Sequence, residues 1–108
     1  MAQQSLTDGF AHQLRAELHA RRLSCRELMQ ATLVRIAVAN PVHNAIVSLR
    51  DEAALLADAD ARDAELAAGR SAGWLHGIPI AVKDLASTAG IRTTMGSPLL
   101  ADHVPSRD

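Results

Sequence analysis

The stretch GIPIAVKD, Gly77 to Asp84, decides how the rest of the chain is read. Ile78 to Val82 is apolar throughout, as in a strand buried on both faces, and a strand is expected at about 78–83. The run then ends on Lys83 and Asp84. Burying an unpaired ammonium is costly or forces it neutral, so a lysine at the inner end of such a strand needs a reason. Either Lys83 reaches solvent as an ordinary strand-end lysine, or it is a base whose charged form is disfavoured by apolar neighbours.

Upstream, Gly69, Gly73 and Gly77 punctuate a loop that contains Trp74. Before it, Asp51 to Ala68 is dominated by alanine and leucine. Asp58 and Arg62, four apart, predict a helix with a surface ion pair, ended by Gly69. Ala45 to Leu49 is short and β-branched, which predicts a strand. The clearest start signal is Ser24-Cys25-Arg26-Glu27, a capping box in which Ser24 accepts from the amide of residue 27 and Glu27 reaches back. Leu23 and Leu28 supply the hydrophobic staple. The helix that follows continues one apolar face to about Ala39, and Asn40-Pro41 is expected to stop it. Phe10, Leu14 and Leu18 recur every four residues and predict an amphipathic helix over about 8–20. After Asp84 the segment LASTAGIRTTMGSPLLADHVPSRD is rich in turn residues and has no periodicity. The predicted order is α-α-β-α-β-loop, an α/β arrangement whose sheet needs more strands than these residues supply.

Bulk properties narrow the function classes. The chain has 108 residues, 48% of them apolar and 21% charged, with a formal net charge of −1. That is ordinary globular composition with no basic stripe for phosphates, so direct nucleic-acid binding is not expected. The single Cys25 excludes an internal disulfide and suits a reducing compartment. MAQQSLTDGF has no basic region followed by an apolar run, and no stretch approaches the length of a membrane span, so a cytoplasmic location is expected. Phe10 and Trp74 are the only aromatic residues, which leaves a small aliphatic core and predicts that the chain is not self-sufficient.

Candidate chemistry centres on Lys83. IAVK matches the strand lysine of protein kinases superficially, but the glycines spaced by four upstream make no phosphate-cradling loop, and the kinase reading is rejected. Cys25 sits where a helix dipole could activate a thiol, yet nothing converges on it, and a small residue inside a capping box explains it. His12, His19, His43, His76 and His103 have no ligand spacing, so no metal is expected; His76 is expected to hydrogen-bond loop backbone. Thr93-Thr94-Met95-Gly96-Ser97 gathers small hydroxyl residues directly after the lysine, in the place where α/β proteins put their sites.

Taken in order, LHGIPIAVKD, AGIRTTMGS, LL and VPSRD resemble the start of the amidase signature family, and SCREL and NPVHNAIVSL resemble its helical lead-in. The resemblance covers almost the whole chain and is strongest from 75 to 108. It implies an α/β enzyme with a mixed central sheet. Residues 1–108 would be the N-terminal part of one amidase domain: a helical lead-in over about 1–44, then a strand and catalytic-lysine region over about 45–108. It further implies hydrolysis of carboxylic amides by a Ser–cis-Ser–Lys triad, with no cofactor, a small-molecule amide as substrate and the remainder of the amidase domain as partner. The family's lysine falls on Lys83, which relays a proton through the middle serine. The two serines belong to a downstream Gly/Ser-rich segment not found in these residues, and Ser97 does not take their place. The 108 residues are therefore expected to be inactive alone. Narrower alternatives are the A subunit of the glutamyl-tRNA amidotransferase, ranked second because Leu85 follows Lys83-Asp84 where that protein usually has asparagine, and a non-catalytic binding protein derived from the amidase start.

Overall fold

The computed structural model describes residues 6–108, which fall into two compact units. The first comprises the described residues up to Ala45 together with Asp51–Pro79. The second comprises Ile46–Arg50 and Ile80–Asp108.

Helix α1 spans Ala11–His19, and its first turn is closed by the Gln13 side chain accepting from the Phe10 amide at 3.3 Å. Phe10 itself is 69% exposed and stacks on His12, so it does not share the buried face expected for it; Leu18 is fully buried and Leu14 partly so. The helix ends in a Schellman motif. The Arg21 amide donates to Leu18 O and the Arg22 amide to Glu17 O, both at 3.0 Å, with Arg21 at φ 59 in the left-handed conformation usually given to glycine. Arg22 also pairs with Glu17, holding that carboxyl below its ordinary range.

Helix α2 runs Cys25–His43 and begins with the expected capping box: Ser24 Oγ accepts from the Glu27 amide at 2.9 Å, and Glu27 Oε2 accepts from the Ser24 amide at 2.8 Å. Leu23 and Leu28 are both buried. The predicted stop at Asn40-Pro41 is wrong, because the helix continues through Pro41 to His43. Near a helix end a proline forfeits little beyond its own amide bond, and the last turn is closed instead by the Asn44 amide on Asn40 O at 2.7 Å. Asn44 takes the left-handed cap at φ 47.

Helix α3 spans Glu52–Ala67, capped by Asp51 accepting from the Ala54 amide at 3.3 Å. Gly69, at φ 73, ends it as expected, with its amide on Leu66 O and the Arg70 amide on Glu65 O. Arg62 forms an ion pair with Glu65 at 3.0 Å. The core gathers Leu6, Leu18, Leu23, Cys25, Leu28 and Ala31 with Ala59 of α3; Leu14, Met29, Leu66 and Ile78 pack against it. It is aliphatic and small, as the composition implied.

Asp63 of α3 joins the two longer helices. Its carboxylate accepts from the Cys25 amide at 2.7 Å and from the Arg26 amide at 3.1 Å. These are the first two amides of α2, and Ser24 already serves the third. The N-terminus of α2 is thus saturated by one residue of its own and one from a neighbour.

The glycine-punctuated loop is pinned at several points. The Arg15 guanidinium lies over the Trp74 ring at 5.6 Å, and His19 Nε2 meets Ser71 Oγ at 3.0 Å. His76 is buried, and its Nδ1 accepts from the loop amide of Ala72 as expected, while its Nε2 donates to Arg62 O of α3, each at 2.9 Å. Gly77, at φ 82, passes so close to the core that a Cβ there would meet Cys25 Sγ at 2.4 Å. This contact fixes where the GIPIAVKD run begins.

The two predicted strands do not form. Among the described residues there is no strand, and the one isolated bridge pairs Thr88 with Ile91 across a tight turn at Gly90. Residues 45–49 are bend and coil, and 78–83 carry no ladder. β-Branched composition expresses a local preference for extended backbone, whereas a strand requires a partner elsewhere in the chain.

Candidate active site

The site is built on the second unit, where Asp84 is the organising residue. Its carboxylate accepts from the Thr94 amide at 2.8 Å through Oδ1 and from the Thr94 hydroxyl through Oδ2. Its main-chain oxygen accepts from the Met95 amide at 3.0 Å. The Thr94 hydroxyl, then the Thr94 amide, hold the Asp84 carboxyl below the usual carboxylate range. One aspartate therefore fastens the residue after Lys83 to the hydroxyl-rich segment ten positions on.

That segment turns sharply. Met95 at φ 53 and Gly96 at φ 69 form a turn closed by the Ser97 amide on Thr94 O at 2.9 Å. Two consecutive left-handed residues suit glycine and strain methionine, so the turn persists because Asp84 and Thr94 over-determine it. Ser97 Oγ accepts from the Leu99 amide at 3.3 Å and caps the short 3₁₀ turn Pro98–Leu100. Its local role is structural.

Arg92 closes the other side. Its Nε donates to Ala101 O and its guanidinium to Val47 O at 3.1 Å, tying residues 46–50 to the rest of the unit. The Thr93 amide bonds His103 O and the Gly90 amide bonds Pro105 O, both at 2.9 Å, so the VPSRD end runs beside residues 88–94. Thr93, Thr94 and Pro105 are the buried residues of this unit.

The result is an open depression of about 590 Å³, with Lys83, Asp84, Arg92, Thr94 and Met95 among its walls. The structure brings Lys83 and residues Thr94 to Ser97 of the hydroxyl-rich segment to one depression, while Thr93 is buried away from it. It does not surround Lys83 with apolar side chains: among the described residues Lys83 is exposed. Asp84 and Arg92 were not singled out as organisers by sequence reasoning. A carboxylate ten residues before a threonine carries no periodic signal, and it becomes legible only when the turn is seen.

Cys25 lies in the first unit and takes no part. Burial foremost, then its hydrogen bond to Asp63, pushes the thiol up to about 12, so it stays protonated and unreactive at neutral pH. Among the described residues no group of histidine, cysteine, aspartate or glutamate side chains could hold a metal ion. No helix among them is long and apolar enough to cross a membrane.

The sequence itself has a family counterpart. The family model described as Amidase matches residues 27–108, and the chain belongs to that family. It is 49% identical over 96 residues to the A subunit of glutamyl-tRNA(Gln) amidotransferase from Azoarcus sp. (strain BH72), covering 89% of this chain and 19% of that protein. The corresponding protein of Thiobacillus denitrificans is 48% identical over 95 residues, 88% of this chain and 19% of its own length. That of Pelobacter propionicus is 44% identical over 100 residues, 93% and 20% respectively. The chain thus spans about a fifth of the length of these relatives. No solved structure matches it.

Proposed function

We propose that these residues are the lysine-bearing N-terminal part of an amidase that cleaves carboxylic amides through a Ser–cis-Ser–Lys triad, with Lys83 as its lysine. The observation that carries this is position. Lys83 follows the apolar run of the GIPIAVKD motif within the matched region and lines the same depression as Asp84 and Thr94, which are bonded to each other.

In the reaction, a serine oxygen supplied by the remainder of the domain attacks the amide carbonyl carbon. Its proton passes through the middle serine to Lys83, and the same lysine returns a proton to the departing nitrogen as the C–N bond breaks. Water then attacks the acyl ester and the serine regains its hydrogen. A lysine can begin this cycle only when its ammonium form is disfavoured, which requires that the remainder of the domain shield Lys83 from water. The 108 residues alone hold no such serine pair and are inactive in this reading.

A second reading is favoured by the relatives: the complete domain is the A subunit of an amidotransferase, using ammonia released from one amide to amidate another carboxylate. Identities of 44–49% to proteins of that name support it, against the single departure at Leu85. The test joins this chain to the remaining segment of the Azoarcus relative. Hydrolysis of a simple aryl amide supports the general amidase, whereas glutamine hydrolysis stimulated by glutamyl-tRNA supports the second reading. Lys83→Ala is expected to lower either activity at least a thousandfold; an unchanged rate overturns the role of Lys83.

A further inference from the structure

The first unit holds a second group of reactive side chains, which uses neither Lys83 nor the Asp84 turn. His19, the last residue of α1, meets Ser71 of the glycine-punctuated loop, 52 positions away in sequence: its Nε2 lies 3.0 Å from Ser71 Oγ. On the other side of the ring, Nδ1 lies 3.0 Å from Arg15 O. A carbonyl only accepts, so the neutral ring carries its proton on Nδ1 and its lone pair on Nε2. The Ser71 hydroxyl has two acceptors in reach, that lone pair and Gly73 O at 3.1 Å. Nε2 has no other donor among the described residues, so the hydroxyl proton is placed toward the histidine. A hydroxyl donating to an imidazole whose far nitrogen is oriented by a third group is the arrangement of an activated nucleophile.

The fold holds both partners. Leu18, beside His19, is fully buried. On the loop side, buried His76 accepts from the Ala72 amide next to Ser71 and stands edge-on to the His19 ring at 6.3 Å. Ser71 itself is exposed, so the nucleophile is open to a ligand. The two amides that follow it are engaged, Ala72 with His76 Nδ1 and Gly73 with Ser71 Oγ at 3.3 Å. Neither is free to receive an oxyanion, and losing one such donor costs about 10²–10³ in rate. That deficit puts unactivated amides out of reach. An ester of an acidic phenol, whose leaving group departs without a proton, remains accessible.

We propose that Ser71 and His19 form a nucleophilic dyad that is acylated by aryl carboxylic esters. Ser71 Oγ attacks the carbonyl carbon and its proton passes to His19 Nε2. The bond from that carbon to the aryl oxygen breaks, and the phenolate leaves with the electron pair. His19 releases the proton to solvent, then takes another from the water that attacks the new acyl ester. It returns this proton to Oγ as the carboxylic acid departs. Serine is a poorer leaving group than a phenolate, so the acyl group accumulates on Ser71 before it is hydrolysed.

The experiment treats the 108-residue chain with p-nitrophenyl acetate, follows nitrophenolate release and locates the acetyl group by peptide mass spectrometry. Ser106, exposed in the second unit, is the internal reference. Ser71 is expected to be acetylated at least a hundredfold faster than Ser106, the scale of a positioned general base. His19→Asn keeps a donor for Arg15 O and removes the base. It should bring Ser71 to within threefold of Ser106 and leave the helical circular dichroism unchanged; should the helix signal fall, His19→Gln serves the same comparison. Denaturing urea should erase the advantage in the unsubstituted chain, because only the fold joins residues so far apart, and this arm requires no variant to fold. Ser71 reacting no faster than Ser106 overturns the proposal. So does an advantage that survives urea, which would be intrinsic to the peptide, or one that survives loss of the imidazole.

Discussion

Gly77 is where one missing atom matters most. Its left-handed φ of 82 disfavours any side chain, and a Cβ would stand 2.4 Å from Cys25 Sγ. Gly77→Ala combines a backbone cost of about 1–2 kcal/mol with an overpacking cost of about 1–3 kcal/mol, so a loss near 3 kcal/mol is expected in urea unfolding followed by circular dichroism. Adding Cys25→Ala removes the atom struck and leaves the backbone cost, so the pair should show a coupling of about 1 kcal/mol or more. Asp84 gives a second test. Its carboxyl is held below its ordinary value by Thr94, so the folded form binds fewer protons than the unfolded one in acid. The stability it contributes is present above the unfolded value of about 3.9 and disappears as pH falls through the folded value. Carboxyl-detected NMR should find its midpoint below that of an unstructured aspartate. Thr94→Val, which removes the hydroxyl donor and keeps the amide, should move it upward.

Among the helices, Asp63 of α3 shares the capping of α2 with the helix's own Ser24 and Glu27. Asp63→Ala removes two charge-assisted bonds to the Cys25 and Arg26 amides, and a loss of about 2 kcal/mol is expected, with faster exchange of those two amides. An unaltered exchange pattern would show that water replaces the carboxylate without cost. The elements divide sharply in how readable they were. The capping box at Ser24 and the end of α3 at Gly69 were legible because both signals are local: the donor, the acceptor and the required φ lie within a few residues. The bonds from Asp63 to α2 were not, since the partners are 38 and 37 residues apart and no periodicity links them. Pro41 misled because a proline's cost depends on where in the helix it falls. The strand expected at 78–83 does not form among the described residues, because an apolar run states only a local preference and a strand needs a pairing partner. At the candidate site, Lys83 was proposed from its apolar approach, while the Asp84–Thr94 fastening beside it was invisible until the turn at Met95-Gly96 was seen.

At the scale of the whole chain, the apolar material is unevenly shared. The first unit keeps a closed core of leucines with Cys25, Ala31 and Ala59, whereas the second is held by polar fastenings around Asp84 and Arg92 and leaves its aliphatic side chains in water. Losing order in one need not cost the other. In urea, exchange of amides in the second unit should speed up well before that of α2 and α3; simultaneous loss would mean a single cooperative body. The seclusion of the lone thiol gives the first unit a gauge of its own. With its proton retained up to about pH 12 and its sulfur behind Gly77, Cys25 reacts with an alkylating reagent only in molecules that have momentarily opened. The rate of labelling therefore counts openings, and needs no added dye or engineered cysteine to do so.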